Sequence, residues 1–289
     1  MLSILILTKN EEHELPGCLS SLKWCDDIII YDSYSTDQTP SIAQRAGCRL
    51  IQRPGQDCSK AFGGDEGFHR TWALRQIPFK YPWVFTLDAD ERLPADTLDE
   101  IIDILGRDAS TSSRSHATRP VAYSVRRRDF LQGRHLKYVQ ATPWYIRLFR
   151  PEHLYYTRLI NPVTVVDGEI GTLHSFIDHY PFSKGLSHWI SRHNSYSTLE
   201  AEHFCSLAGI SERPSFLTAL FARSFHLRRV HQKQLFMRLP ARPIFKFVLL
   251  YIIKRGFLDG RQGLTYALLQ SIYEYFIVLK VRELRQLGG

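Results

Sequence analysis

Two aspartates one residue apart, Asp88 and Asp90, follow the apolar run Trp83–Leu87 in the segment WVFTLDADERL. Carboxylates placed just past a buried strand can point at one cation. Hard cations such as Mg2+ or Mn2+ take oxygen ligands and keep waters and substrate phosphates, so such a pair suits charge developing on a diphosphate leaving group. The alternative is capping, because Asp90 and Glu91 precede a helix whose N-terminus favours negative charge. Two more polar clusters end apolar runs: Thr8-Lys9-Asn10-Glu11 and Asp32-Ser33-Tyr34-Ser35-Thr36-Asp37. Asp32 can accept a hydrogen bond from a base N–H, and Thr8 and Glu11 can address a ribose or base. Ser35 and Asp37 also suit the N-cap of a following helix.

The elements that must carry these residues alternate. Leu2–Leu7, Asp27–Tyr31, Arg49–Gln52 and Trp83–Leu87 read as strands. Glu11–Lys23, the stretch from Ser35 to Gly47, Glu66–Gln76 and Pro94–Leu105 read as helices. This alternation predicts a Rossmann-like, mostly parallel central sheet with helices on both faces. In such open sheets ligands sit outside the carboxyl ends of the strands, where all three polar clusters fall. No Gly-rich loop follows the first strand, which argues against a dinucleotide site, a P-loop and a pyrophosphorylase-type nucleotidyltransferase. Asp108–Pro120 reads as a polar loop. Val121–Val125 and Tyr145–Phe149 read as further strands, and residues 151–178 as short strands and turns. From Phe182 onward the pattern is helical, with breaks expected at Gly209, Pro214, Pro240, Gly256, Gly260 and Gly263.

The 289 residues suffice for one large domain with an appendage. Hydrophobic residues at 44% and charged residues at 23% exclude a disordered or fibrous chain. The net charge of +8 is uneven: residues 1–210 carry −2 and residues 211–289 carry +10. The boundary is expected near residue 180, with a catalytic domain over 1–180 and a helical, basic region over 181–289. Five cysteines without CxxC spacing make a disulfide scaffold or structural zinc site unexpected and a reducing compartment the simpler inference. The N-terminus MLSILILTKNEE lacks a basic n-region and a small-residue cleavage site, so it reads as the first strand. The longest apolar stretch, Leu264–Leu279, is too short to span a bilayer and carries Gln270 and Glu274. The basic segment PARPIFKFVLLYIIKRGFLDGRQ mixes Arg and Lys with Phe, Leu and Tyr. It suits either an anionic membrane surface or helices packed with a solvated basic face. No nucleic-acid recognition signature accompanies it.

The segments ILTKNEE, LPGCLSSL, DDIIIYDSYSTDQT and WVFTLDADERL together resemble the inverting family 2 glycosyltransferases with the GT-A fold. YIRLFR, IDHYPFSKGLSHWISRHNSYSTLEAE and FVLLYIIKRGFLDGRQGL extend the resemblance to a bacterial subgroup that includes lipopolysaccharide-core glucosyltransferases. The resemblance implies that Thr8, Asn10, Glu11, Asp32 and Asp88 contact the nucleotide. It implies that Asp88 and Asp90 hold Mg2+ or Mn2+, with His179 completing the metal site. It departs from the family at the acceptor-activating base. Where many relatives carry Val-His-Glu, this chain reads Leu159-Ile160-Asn161-Pro162, and neither Asn nor Pro takes a proton. Asp167 is the first substitute, with Glu169 and Asp178 as alternatives. Thr71 replaces the relatives' Asn before Trp-Ala-Leu.

The expected activity is transfer of a sugar, with inversion, from a nucleotide-diphospho-sugar, most simply a UDP-sugar, to a hydroxyl of a glycan or lipid-linked glycan. The expected location is cytoplasmic, peripheral on the inner face of the membrane. The alternative is a weak or inactive sugar-nucleotide-binding scaffold of the same fold.

Overall fold

A computed structural model of the chain describes residues 2–54, 66–110, 119–140, 142–157, 163–208, 215–221, 228, 231–232, 235–236, 239 and 241–287. In chain order they form β1 (Ser3–Thr8), α1 (Leu15–Ser20), β2 (Ile28–Asp32), α2 (Thr39–Arg45), β3 (Arg49–Gln52), α3 (Glu66–Gln76), β4 (Val84–Asp88), β5 (Glu91–Arg92), α4 (Ala95–Ser110), β6 (Pro120–Leu131), β7 (Arg134–His135), β8 (Tyr145–Phe149), β9 (Leu154–Thr157), β10 (Val163–Val166), β11 (Glu169–His179), α5 (Gly185–Ala208), α6 (Phe216–Phe221), α7 (Arg242–Phe247) and α8 (Gly260–Leu287). Two compact units result. One comprises Met1–Phe130 and Thr142–Ser183, the other Leu131–Ala141 and Lys184–Gly289.

The first unit is built on a sheet of order β3-β2-β1-β4-β8-β6-β11-β5. Its β3-β2-β1-β4 half is parallel throughout, as the alternation of strands and helices requires. Beyond it β8 runs antiparallel between β4 and β6, β6 pairs parallel with β11, and β5 closes the edge antiparallel to β11. Side chains alternate across the pleat. Ile4, Ile6, Ile30, Phe85 and Leu87 pack with Leu15 and Cys18 of α1, Ala43 of α2 and Ile101 of α4. Leu5, Ile29, Tyr31 and Val84 pack on the other face with Ala73 and Leu74 of α3. The sheet is thus covered on both faces, which is why its first strands read as unbroken apolar runs.

Three expectations need correction. β6 runs for twelve residues, not the five of Val121–Val125, because the charges of Arg126–Asp129 are taken up in ion pairs and a ring contact. The stretch 151–178 contains not only short pieces but the eleven-residue β11. Gly263 does not break a helix but lies inside α8. A Cβ there would sit 2.0 Å from the Gly256 carbonyl oxygen, so glycine lets two backbone segments touch. The breaks expected at Gly209, Pro214 and Pro240 lie outside the described residues.

In the second unit Ala201 of α5 packs on Ile277 and Val281 of α8. Arg242 of α7 pairs with Glu274 of α8 at 2.9 Å, both buried. The Asp259 carboxylate is buried and accepts the backbone N–H groups of Lys137, Tyr138 and Val139 at 3.1, 2.9 and 2.8 Å. The charged residue of the GFLDGRQG stretch is therefore a tie between loops. Among the described residues no helix is long and apolar enough to cross a membrane.

Candidate active site

The carboxyl ends of β1 and β2 carry loops that lock together. Asp32 is fully buried; its Oδ1 accepts the hydroxyls of Thr8 at 2.8 Å and Ser35 at 2.6 Å, and its Oδ2 accepts the Ser35 N–H at 2.8 Å. Asn10 Oδ1 accepts the Thr36 N–H at 2.8 Å, while the Asn10 N–H donates to Ser35 Oγ at the same distance. The Glu11 N–H donates to Thr39 Oγ1 at 2.7 Å. Asn10 and Tyr34 hold positive φ of 56° and 57° to close these turns. Gln38, not Asp37, holds the cap position of α2; the Asp37 carboxylate accepts the Thr39 N–H at 2.9 Å and the Glu12 N–H at 3.0 Å and so ties the two loops together. Thr8, Asn10, Glu11 and Asp32 thus share one wall. Asn10 stands at its surface, and Asp32 lies behind Thr8 and Ser35.

The end of β4 is organised by charges buried in the neighbouring strands. The Arg147 guanidinium reaches Asp88 Oδ2 at 2.9 Å and Glu91 Oε1 at 2.7 Å. Arg127 adds a contact to Glu91 at 3.4 Å, and Glu91 Oε2 accepts the Asp88 N–H at 2.9 Å. Desolvation opposes ionisation of Asp88, but Arg147 and Arg70 outweigh it and hold its carboxyl well below the usual carboxylate range. Burial pushes the Glu91 carboxyl up. Glu91 is therefore no helix cap; it is the fully buried hub of this cluster, in β5 and ahead of α4.

His179 arrives through the sheet. The β11–β5 register sets it opposite Glu91, and the β6–β11 register sets it opposite Asp129. Its Nε2 lies 3.3 Å from Asp90 Oδ2 and its Nδ1 lies 2.5 Å from Asp129 Oδ1. Burial disfavours the charged ring, but the hydrogen bonds to Asp129 and Asp90 prevail and push the imidazole up to about 9. Asp90 and His179 therefore face each other, while the Asp88 carboxylate accepts from Arg147. Among the described residues no group of three or more His, Cys, Asp or Glu is arranged to hold a metal ion. The facing pair nevertheless fits a hard cation. A carboxylate oxygen and an imidazole nitrogen 3.3 Å apart at a strand end are two donors that such an ion could take together. Two protein donors also suit an ion that keeps waters and substrate phosphate oxygens. Asp129 supplies the carboxylate behind the ring that fixes which nitrogen faces outward.

The candidates for the base do not join this cluster. Asp167 and Glu169 lie at the opposite end of β11, ten or more extended residues and about 30 Å from His179. Proximity in sequence misleads here because the intervening segment is a strand. Asp178 neighbours His179 but alternates to the other face, where Arg128 binds it at 2.6 Å. The replaced Leu159-Ile160-Asn161-Pro162 segment lies outside the described residues. Arg147, Arg127 and Asp129 were not singled out from the sequence. For Arg147 a signal was present, since a charged residue inside YIRLF, a stretch otherwise reading as strand, is costly unless paired; RRRDF lies beyond the strand expected over Val121–Val125 and offered none.

The model of the family described as Glycosyl transferase family 2 matches residues 3–157, more than half of the chain. This chain belongs to glycosyl transferase family 2. It is similar to the lipopolysaccharide core biosynthesis glycosyltransferase LpsC of Rhizobium meliloti (strain 1021), with 25% identity over 283 residues, covering 95% of this chain and 92% of the relative. An uncharacterised glycosyltransferase of Rickettsia typhi is 24% identical over 295 residues, covering 98% and 87%. Among solved structures, S. aureus TarS 1–349 is 14% identical with a TM-score of 0.39, covering 100% of this chain and 92% of that one.

Proposed function

We propose that this glycosyltransferase moves a sugar, with inversion, from a nucleotide-diphospho-sugar to a hydroxyl of a cell-surface glycan, in lipopolysaccharide-core or related synthesis at the inner face of the cytoplasmic membrane. The observation that carries the reading is the pairing of Asp90 with His179, backed by Asp129, at the carboxyl end of β4. Thr8, Asn10, Glu11 and Asp32 form the nucleoside wall, with UDP the favoured nucleotide. Asp90 and His179 would hold Mg2+ or Mn2+, which would supply positive charge to neutralise a leaving diphosphate. Arg147 keeps Asp88 ionised and fixed at the donor's edge. The likeness to LpsC across most of both chains supports a glycan acceptor of the lipopolysaccharide kind. A screen of nucleoside diphosphates by thermal shift, with and without Mn2+, tests the donor directly, since a ligand bound to the folded state raises its stability by RT ln(1 + [L]/Kd). Stabilisation by UDP that needs Mn2+ supports the reading; no response to any nucleotide contradicts it.

A sugar-nucleotide-binding scaffold is the second reading. It is favoured by one observation, that Asp167, Glu169 and Asp178 all stand apart from Asp90. Nucleotide binding without turnover would select it.

A further inference from the structure

α7 continues directly into a π-helical stretch, Val248–Ile253, and the two make one rod over residues 242–253. Its side chains sort sharply. Ile244, Phe245, Val248, Leu249, Ile252 and Ile253 are exposed, at 66, 49, 38, 37, 53 and 67%. They recur as adjacent pairs every four residues, which places them along one half of the rod. Arg242, Pro243, Lys246, Phe247, Leu250 and Tyr251 occupy the other half and are buried or half-buried. The turn that follows adds Phe257 and Leu258, exposed at 48 and 46%. No polar residue interrupts the exposed half. Soluble surfaces rarely present so continuous an apolar face without something that covers it.

The charges around this face have one sign. Residues 242–263 contain Arg242, Lys246, Lys254, Arg255 and Arg261 against the single acid Asp259. Asp259 is buried on three backbone N–H groups, and Arg242 is buried against Glu274. Lys246, on the other half, lies 3.8 Å from Glu274, and Lys254, Arg255 and Arg261 remain partly or fully exposed beyond the apolar half. A second copy of the chain docked symmetrically on this face would set cations against cations with no acid of the segment opposite them. An anionic lipid surface satisfies both features: acyl chains receive the aliphatic side chains and headgroup phosphates receive the cations.

We infer that the apolar half of the 242–253 rod, with Phe257 and Leu258, is a membrane-docking face that inserts in the plane of an anionic lipid leaflet. The membrane location was part of the proposed function; the face, its residues and its in-plane mode are new, and they stand whether or not the sugar-transfer site is read correctly.

Cosedimentation of the full chain with vesicles tests this. The vesicles are phosphatidylcholine alone, or phosphatidylcholine with an equal part of phosphatidylglycerol. The wild type pellets with the anionic vesicles only. Lys254→Gln with Arg255→Gln lowers the partition coefficient about 25-fold at low salt, from about 5-fold per charge. Ile252→Ser with Ile253→Ser lowers it at least about 100-fold. Both side chains are exposed, so folding, followed by circular dichroism, is unchanged. Donor hydrolysis in solution is also unchanged in both variants, and this separates failure of docking from failure of the catalytic reading. Wild-type protein that stays in the supernatant with anionic vesicles at low salt overturns the inference. So does an Ile252→Ser, Ile253→Ser variant that pellets like the wild type. So does light scattering that finds a wild-type dimer converted to a monomer by the same variant, because the occupant is then a second copy.

Discussion

Nδ1 of His179 lies 2.5 Å from Oδ1 of Asp129, and this contact aims the opposite ring nitrogen at Asp90, 3.3 Å away. A histidine held by a carboxylate on one nitrogen presents the other as a fixed ligand. Asp129→Asn keeps the volume and removes the charge. It is expected to weaken Mn2+ binding about 10–100-fold, measured by the electron paramagnetic resonance of free Mn2+. Unchanged affinity would mean that His179 needs no support from Asp129.

The same contact sets a pH dependence. The ring's folded value is about 9 against an ordinary 6.5, so its protonated form is the one the fold stabilises. That contribution is full below 6.5 and fades as pH rises through 9. A cation held by Nε2 would compete with the proton there, so its affinity is expected to rise with pH over the same window. Thermal melts without metal should lose stability from pH 6.5 to 9 in the wild type more than in His179→Gln, while the Mn2+-induced shift grows. A Mn2+ effect that is flat over this window contradicts the assignment of His179.

Arg147 is nearly buried between Asp88 and Glu91. Removing one partner of a buried ion cluster leaves an uncompensated charge, at a cost of about 3–5 kcal/mol. Arg147→Met is expected to lose this much in urea denaturation, and adding Glu91→Gln should restore part of it. A loss below about 1 kcal/mol would show that Glu91 is served by Arg127 alone.

Asp32 and Asp37 separate two roles that neighbouring acids in one loop can play. Asp32→Ala deprives Thr8 and Ser35 of their acceptor and should lower UDP affinity by about 1.5–3 kcal/mol, along with stability. Asp37→Ala should cost about 1 kcal/mol of stability through the lost hydrogen bonds to the Thr39 and Glu12 N–H groups and leave UDP affinity intact. Calorimetric titration and denaturant melts on both variants distinguish them; equal UDP affinity in both removes Asp32 from the nucleoside wall.

The parallel half of the sheet was legible because each buried strand is a continuous apolar run that stops at a polar cluster, as at Thr8, Asp32 and Asp88. The second half was less so. Arg126–Asp129 and Arg147 lie within strands, and a charged residue in a strand ordinarily marks a solvent face. Here the charges pair across strands far apart in sequence: Arg147 with Glu91, and His179 with Asp129. Such registers are not written in local pattern. Asp167 is a substitute for the base by its nearness to Leu159-Ile160-Asn161-Pro162 in the chain, yet the strand β11 sets it the length of the sheet away from His179. Glu91 reads from the sequence as an acid at a helix N-terminus, yet it points inward to Arg127 and Arg147.

The central claim is that Asp90 and His179 hold a divalent cation that a departing diphosphate requires. Its most direct test is release of nucleoside diphosphate from a panel of nucleotide-sugars by the wild type, Asp90→Asn and His179→Gln, with Mn2+, with Mg2+ and with chelator. The account predicts release by the wild type with added metal, suppression by chelator, and a fall of about two orders of magnitude or more in each variant, because the cation contributes several kcal/mol at the leaving group. Release that persists in chelator, or at wild-type rates in both variants, would contradict it.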